Sequence, residues 1–140
     1  MSAERGSFSD PPDDFIFFQE PRYMPEMERL RSTSEIDAFV ERSKENPVII
    51  FKHSLTCPIS SAAFSEYRRF LEQQPAGGAT VFGLIEVQNA RAVSNEVASR
   101  TGVRHESPQA LLFRDGSVVW HASHGSIKVA ALEKALAAAA

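Results

Sequence analysis

The chain of 140 residues contains a single cysteine, Cys57, in the stretch LTCPISS at residues 55–61. Ser60 stands three positions later, where a Cys-x-x-Cys redox protein carries its second thiol. A serine cannot act as that resolving group, because an alkoxide is far too basic to displace a thiolate. The residues therefore leave two interpretations. One is a redox site that works with one sulfur, and the other is a small cysteine buried in the core.

Cys57 lies where a buried strand is predicted to give way to a helix. The run VIIF at residues 48–51 is continuously apolar, as in a strand that is covered on both faces. Pro58 fits the first helical position, because its missing N–H costs nothing there. Cys57 then becomes the N-cap, where unpaired amides and the positive end of the helix dipole favour a thiolate. Thr56 and Ser60 are predicted to donate hydrogen bonds to the sulfur.

A second motif, Ser107-Pro108, stands directly before the β-rich run that begins with QALLF. Proline is awkward at such a position unless the preceding bond or an edge position is special. A cis peptide bond is one recognised solution, and a trans proline that merely begins a strand is the alternative. Together with the N-cap position of Cys57, this motif favours a reactive cysteine over a core cysteine.

Apolar periodicity predicts the element order that must position these residues: helix, strand, helix, strand, helix, hairpin, helix, with a short strand near Met27 before them. Strands that alternate with helices pair in parallel, and the hairpin adds an antiparallel edge. The predicted fold class is therefore α/β, with a central mixed four- to five-stranded sheet flanked by helices on both faces. Ser34 or Thr33 is predicted to cap the first helix, and Asp115-Gly116 to form the hairpin turn.

Composition sets the broad class of protein. Apolar residues make up 43% and charged residues 24%, which is typical of a soluble globular domain. The net charge of −3 argues against partners such as nucleic acid or an anionic membrane surface. No apolar signal segment is visible at the N-terminus, so a cytoplasmic location is expected. The prolines and acids of residues 1–26 predict an arm that docks partly on the domain formed by residues 27–140.

Three motifs in this order, KHSLTCPISS, HESPQ and VVWHASH, resemble the monothiol bacilliredoxin-like (YtxJ-type) family of the thioredoxin superfamily. The resemblance covers about residues 27–136 and implies a thioredoxin-like fold. It also implies that Pro108 is a cis-proline held against Cys57. The backbone of Ser107 is then expected to pair with the extended chain of a substrate.

The resemblance implies a function in thiol-disulfide exchange. Cys57 is expected to take over the small-thiol half of a mixed disulfide and to release the reduced protein. The implied co-substrate is bacillithiol or a similar low-molecular-weight thiol, with no bound cofactor. The implied partners are S-thiolated proteins and a reductase that clears the adduct. The predicted catalytic residues are Cys57, Ser60 and Thr56. The predicted substrate-binding residues are Pro58, Ser107, Pro108, His53, His105, Gly125 and Ser126.

Charged and titratable residues add weaker predictions. Ser126 is expected to cap the last helix, whose N-terminus and neighbouring Gly125 suit the carboxylates of bacillithiol. Lys52 and Arg104 are candidates for the same role, although solvated surface charge is the favoured interpretation of each. His53 and His105 are as consistent with a role near the thiol as with ordinary surface placement.

Two other functions remain open at the level of sequence. A thioredoxin-like carrier, such as an iron-sulfur scaffold that uses Cys57 with an exogenous thiol, keeps the fold but changes the class of protein. A non-catalytic interaction domain with an inert cysteine is the other. A protein-held metal site is disfavoured, because one cysteine and scattered histidines do not form a convergent ligand set. Whether the chain is an enzyme therefore stays open, with a monothiol oxidoreductase favoured.

Overall fold

The computed structural model describes residues 25–75 and 77–140, so nearly all of the predicted arm at 1–26 lies outside the described residues. Within the described ranges, the strands and helices follow the predicted order, with two short 3-10 turns between them. The elements are β1 (Met27–Arg29), α1 (Thr33–Arg42), β2 (Val48–His53), α2 (Pro58–Glu72), β3 (Val81–Glu86), a 3-10 turn (Val87–Asn89), α3 (Arg91–Thr101), β4 (Gln109–Arg114), β5 (Ser117–Ser123), a 3-10 turn (His124–Ser126) and α4 (Val129–Ala139).

The strands of the described chain form one five-stranded mixed sheet in the order β1-β3-β2-β4-β5. β3 pairs in parallel with β1 and β2, whereas β4 pairs antiparallel with β2 and β5. The register places His53 beside Glu86 and Lys52 beside Gln109. The carboxyl end of β2 therefore lies next to the end of β3 and the beginning of β4.

Both faces of the sheet are covered, which explains the continuous apolar run of β2. Successive residues of a strand point to opposite faces. Val48 and Ile50 accordingly pack against α1 and α3, whereas Ile49 and Phe51 pack against α2 and α4. All six residues of β2 are buried. The predicted fold class, an α/β mixed sheet with helices on both faces, is confirmed.

Gly83 in the middle of β3 allows α1 to approach the sheet closely. A Cβ atom at this position would lie 2.7 Å from Phe39 Cε2 and 3.0 Å from Leu30 Cδ1. The first distance is shorter than real carbon contacts and the second is tight, so a side chain at this position requires the Phe39 ring to shift. The glycine is thus required by packing.

Two predicted caps are wrong, and the hairpin turn is confirmed. Helix α1 is capped by Ser32 in place of Thr33 or Ser34, because Glu35 completes a capping box by accepting from the Ser32 N–H at 3.1 Å. Ser126 does not cap the last helix. It belongs to the 3-10 turn, and Lys128 is the N-cap of α4. The two turn residues of the β4–β5 hairpin have φ values of 57° and 83°, as in a type I′ turn.

None of the helices within residues 25–75 and 77–140 has the length and apolar character needed to cross a membrane.

Candidate functional site

Cys57 occupies the N-cap of α2, as predicted. Its φ and ψ are −101° and 122°, and Pro58 follows at the first helical position. Its carbonyl accepts the first helical hydrogen bond from the Ser61 N–H at 3.1 Å. The thiol is free and half-buried, and its side chain makes no capping hydrogen bond. The sulfur is thus accessible and lies at the positive end of the helix dipole.

The Ser60 hydroxyl lies beneath the cysteine loop and is fully buried. Its Oγ accepts a hydrogen bond from the Ser54 N–H at 2.9 Å and shares another with His53 Nδ1 at 2.7 Å. The predicted bond from Ser60 to the sulfur is not found among the described residues. The hydroxyl instead joins the end of β2 to the first turn of α2, which fixes the loop between them.

His53 is the partner that holds Ser60. Its ring stacks on Phe64 of α2, with centroids 4.5 Å apart and an interplanar angle of 18°. Burial lowers the pKa of His53, and the charge of Glu86 opposes that effect only in part. The imidazole is therefore neutral near pH 7 and acts as a structural hydrogen-bonding group between β2 and α2.

Gln88 secures the exposed side of the same loop, and the sequence analysis missed it. Its Oε1 accepts from the Leu55 N–H at 3.0 Å, while its Nε2 donates to Ser54 Oγ at 2.8 Å and to Thr56 Oγ1 at 3.3 Å. Thr56, predicted to serve the sulfur, is thus bonded to Gln88. The available signal was the topology, because Gln88 lies in the 3-10 turn after β3, and the carboxyl end of β3 lies beside that of its parallel neighbour β2.

The Ser107-Pro108 motif lies at the same edge of the sheet. Its peptide bond is cis, and Pro108 is buried. The carbonyl of Pro108 accepts from the His124 N–H at 3.1 Å, which joins the motif to the end of β5. Because Gln109, the first residue of β4, is paired with Lys52 on β2, the motif directly precedes β4 and lies beside the strand that leads to Cys57. The two motifs of the sequence analysis are therefore brought to one edge.

Lys52 contradicts both interpretations offered by the sequence, because it is neither solvated nor available to a ligand. The side chain is fully buried on the face covered by α3. Its Nζ donates to the Ser94 carbonyl at 3.1 Å and contacts His105 Nδ1 at 3.2 Å. Burial lowers the pKa of Lys52 to about 8. His105 is thus held from beneath, while Arg104 beside it is exposed as predicted.

A groove of about 160 Å³ runs beside the first turns of α2. Ile59 forms one wall, and His124, Gly125 and Lys128 form part of the other. Ile59 is 57% exposed and Leu55 46%, so apolar side chains flank Cys57 on both sides in sequence. The structure therefore brings the predicted Gly125 close to the cysteine helix, whereas Ser126 is an exposed member of the adjoining 3-10 turn.

The remaining histidines, His121 and His124, lie near the acidic side chain of Glu106. His124 Nδ1 lies 3.8 Å from Glu106 Oε1, and both His124 and His121 are exposed. A hydrogen bond from Ser123 lowers the pKa of Glu106, and the positive charges nearby act in the same direction. Within residues 25–75 and 77–140, no group of three or more His, Cys, Asp or Glu side chains is arranged to hold a metal ion.

Comparison with known proteins assigns the chain to a family. Residues 28–132 match the family described as monothiol bacilliredoxin BrxC. This chain belongs to that family, a group of single-thiol redox proteins within the thioredoxin fold.

Solved structures agree with this fold. One, described as an oxidoreductase candidate with a thioredoxin fold, is 36% identical, with a TM-score of 0.69 over 78% of this chain and 92% of that chain. Thioredoxin from Malassezia sympodialis is 15% identical, with a TM-score of 0.67 over 86% of this chain and 96% of that chain. A mutant thioredoxin from Halobacterium salinarum is 22% identical, with a TM-score of 0.61 over 81% of this chain and 90% of that chain. The last two show the fold alone. A function in thiol redox chemistry follows from the family and the first structure.

Proposed function

We propose that the protein removes bacillithiol, or a similar low-molecular-weight thiol, from mixed disulfides on other proteins through Cys57. The observation that carries the proposal is the lone, half-exposed thiol at the N-terminus of α2. It lies at the same sheet edge as a Ser107-Pro108 motif. Membership in the monothiol bacilliredoxin family supports the choice of small thiol.

The reaction proceeds in two exchanges. The Cys57 thiolate attacks the bacillithiol sulfur of the mixed disulfide, so that a new S–S bond forms and the old one breaks. The protein thiolate leaves and takes up a proton. A second thiol, from bacillithiol or a reductase, then attacks the bacillithiol sulfur on Cys57 and regenerates the free cysteine. The second sulfur comes from outside, since Ser60 cannot supply one.

Three parts of the chain support the first exchange, in which the Cys57 thiolate attacks the mixed disulfide. Helix α2 offers its positive end to the thiolate and to the negative charge shared among the sulfurs in the transition state. Gln88 and Ser60 hold the loop that carries the thiol. The backbone N–H and C=O of Ser107 take part in none of the loop and turn hydrogen bonds of the described chain. These groups are thus free to pair with an extended substrate chain.

The direct test is a competition between bacillithiol disulfide and glutathione disulfide, read by intact mass. The proposal predicts a bacillithiol adduct that is confined to Cys57, reversed by added thiol and abolished by Cys57→Ser. Wild-type turnover by Cys57→Ser would refute the mechanism. A preference for glutathione would keep the chemistry but change the small thiol.

The groove beside α2 is the proposed place for the small-thiol half of the adduct. Lys128 is exposed at its rim, and its amine makes no hydrogen bond or ion pair within the described chain. It is thus available to a carboxylate of bacillithiol. Lys128→Glu should raise the KM for bacillithiol disulfide about three- to tenfold, whereas Lys134→Glu, an exposed change on the same helix, should not. Equal effects of the two changes would exclude the groove.

A further inference from the structure

Lys52 is a buried cation without an acidic partner. Its side chain has a relative exposure of 0%, and no salt bridge in the described residues involves it. A buried charge is costly unless hydrogen bonds compensate it. The other side chains of β2 on this face, Val48 and Ile50, are apolar. The compensation for Lys52 comes from two partners, the Ser94 carbonyl at 3.1 Å and His105 Nδ1 at 3.2 Å.

The side-chain partner of Lys52 is His105. An ammonium group carries only donors, so the nitrogen that faces it, His105 Nδ1 at 3.2 Å, must be an acceptor. Ser94 Oγ approaches the same Nδ1 at 3.0 Å. The proton of the neutral ring is consequently on Nε2. Burial lowers the pKa of His105, and the charges of Lys52 and Arg91 lower it further against the opposing effect of Glu106.

His105 reaches the surface only two residues before Ser107. The residue is exposed, whereas the Nδ1 side of its ring is held by groups of β2 and α3. The chain around it is fixed from a second direction, since Gln109 Nε2 donates to the Arg104 carbonyl at 3.0 Å. Gln109 is itself paired with Lys52 across the sheet. The segment 104–109 is thus anchored to the strand that leads to Cys57.

We propose that Lys52 is a positioning residue, which holds His105 as a neutral imidazole with an outward Nε2–H, and that this N–H donates to an oxygen of the bound disulfide substrate. The proposal rests on the proposed function and deepens it. The acceptor oxygen comes either from the backbone of the S-thiolated protein or from the small thiol. Kinetics with a bacillithiolated protein and with bacillithiol disulfide distinguish these sources.

Two substitutions at the exposed His105 separate the inward and outward contacts. In His105→Asn, the amide oxygen can replace Nδ1 as the acceptor for Lys52, but the outward donor is lost. In His105→Gln, the longer amide can replace the outward Nε2–H, but the inward acceptor is lost. The proposal predicts that His105→Asn raises the KM about five- to tenfold with little change in kcat. His105→Gln should recover part of that loss. His121→Asn, an exposed change on β5, is the matched control and should leave KM unchanged.

The positioning role has a readout that does not depend on turnover. In ¹⁵N spectra of the wild type, His105 should be the Nε2–H tautomer with a pKa below that of an ordinary histidine. Lys52→Met should raise that pKa, populate the Nδ1–H tautomer and raise the KM. If Lys52→Met does not fold, the wild-type tautomer and the His105 variants still decide the question.

The outcomes separate this inference from the proposed function. An Nδ1–H tautomer in the wild type, or an unchanged KM in His105→Asn, would overturn the inference while Cys57 still formed its adduct. If the wild type forms no adduct, the proposed function fails and with it the substrate contact. The tautomer measurement would then still decide whether Lys52 fixes the imidazole.

Discussion

The buried ammonium of Lys52 predicts an unusual dependence of the free energy of unfolding on pH. Burial lowers its pKa from 10.5 to about 8. Below pH 8 the amine is charged in both states, so folding must bury a charge. Above pH 10.5 it is neutral in both states, and that cost is absent. Between these values the unfolded chain binds more protons than the folded one, so Lys52 makes the protein more stable as the pH rises.

The magnitude follows from the difference between 10.5 and about 8, which is about 2.5 pKa units. At about 1.4 kcal/mol per unit this corresponds to roughly 3–4 kcal/mol. Because the amine contacts the exposed His105, solvent screens part of the charge, and we expect a gain of about 1–2 kcal/mol. Lys52→Met should remove this gain, since the variant has no proton to lose at this position.

The assay is urea unfolding of the wild type and Lys52→Met at several pH values from 7 to 10.5, under reducing conditions. Other groups of the chain also change protonation in this range. The measured quantity is therefore the difference between the two proteins, in which their contributions cancel. Lys134→Met, which removes an exposed amine from α4, serves as the control and should follow the wild type. Parallel curves for the wild type and Lys52→Met would refute the assignment of a buried, charged amine.

Two further predictions concern packing and the loop that carries the thiol. Gly83→Ala should destabilise the fold by about 1–3 kcal/mol in urea unfolding, because its Cβ would lie 2.7 Å from the Phe39 ring. An effect below about 0.5 kcal/mol would show that Phe39 moves freely. Gln88→Ala should slow alkylation of Cys57 by iodoacetamide about three- to tenfold, because residues 54–56 lose three hydrogen bonds. Alkylation as fast as in Gln73→Ala, an exposed change at the end of α2, would contradict this.

Local signals account for the features that the sequence predicted correctly. The N-cap position of Cys57 follows from a proline that fits only the first helical position. The hairpin turn follows from Asp115-Gly116, since few residue pairs accept positive φ at both positions. The mixed sheet follows from alternating strands and helices. Each inference depends on residues that are adjacent in the chain.

The side-chain partners within the site could not be predicted in the same way, because they come from distant parts of the chain. Gln88 bonds to residues 54–56, which precede it by 32 to 34 positions in the chain. Lys52 and His105 are 53 positions apart. A lysine in a strand gives no sign of whether it ends in water or under a helix. The spacing predicts a bond from Ser60 to the sulfur, whereas in the structure its hydroxyl bonds to His53. The spacing of residues along the chain predicts where a helix forms, but the packing of distant segments determines which group each side chain bonds to.

The dipeptide Lys52-His53 at the end of β2 contacts both parts of the site, the helix that carries Cys57 and the segment before Ser107-Pro108. Adjacent residues of a strand point to opposite faces, so the two polar side chains lie on opposite sides of the sheet. His53 reaches the α2 face and holds Ser60, which fixes the helix that presents the thiol. Lys52 reaches the α3 face and holds His105, which adjoins the Ser107-Pro108 motif. If both contacts serve the reaction, replacing Lys52 should impair substrate binding while sparing the reactivity of the thiol. Replacing His53 should do the reverse.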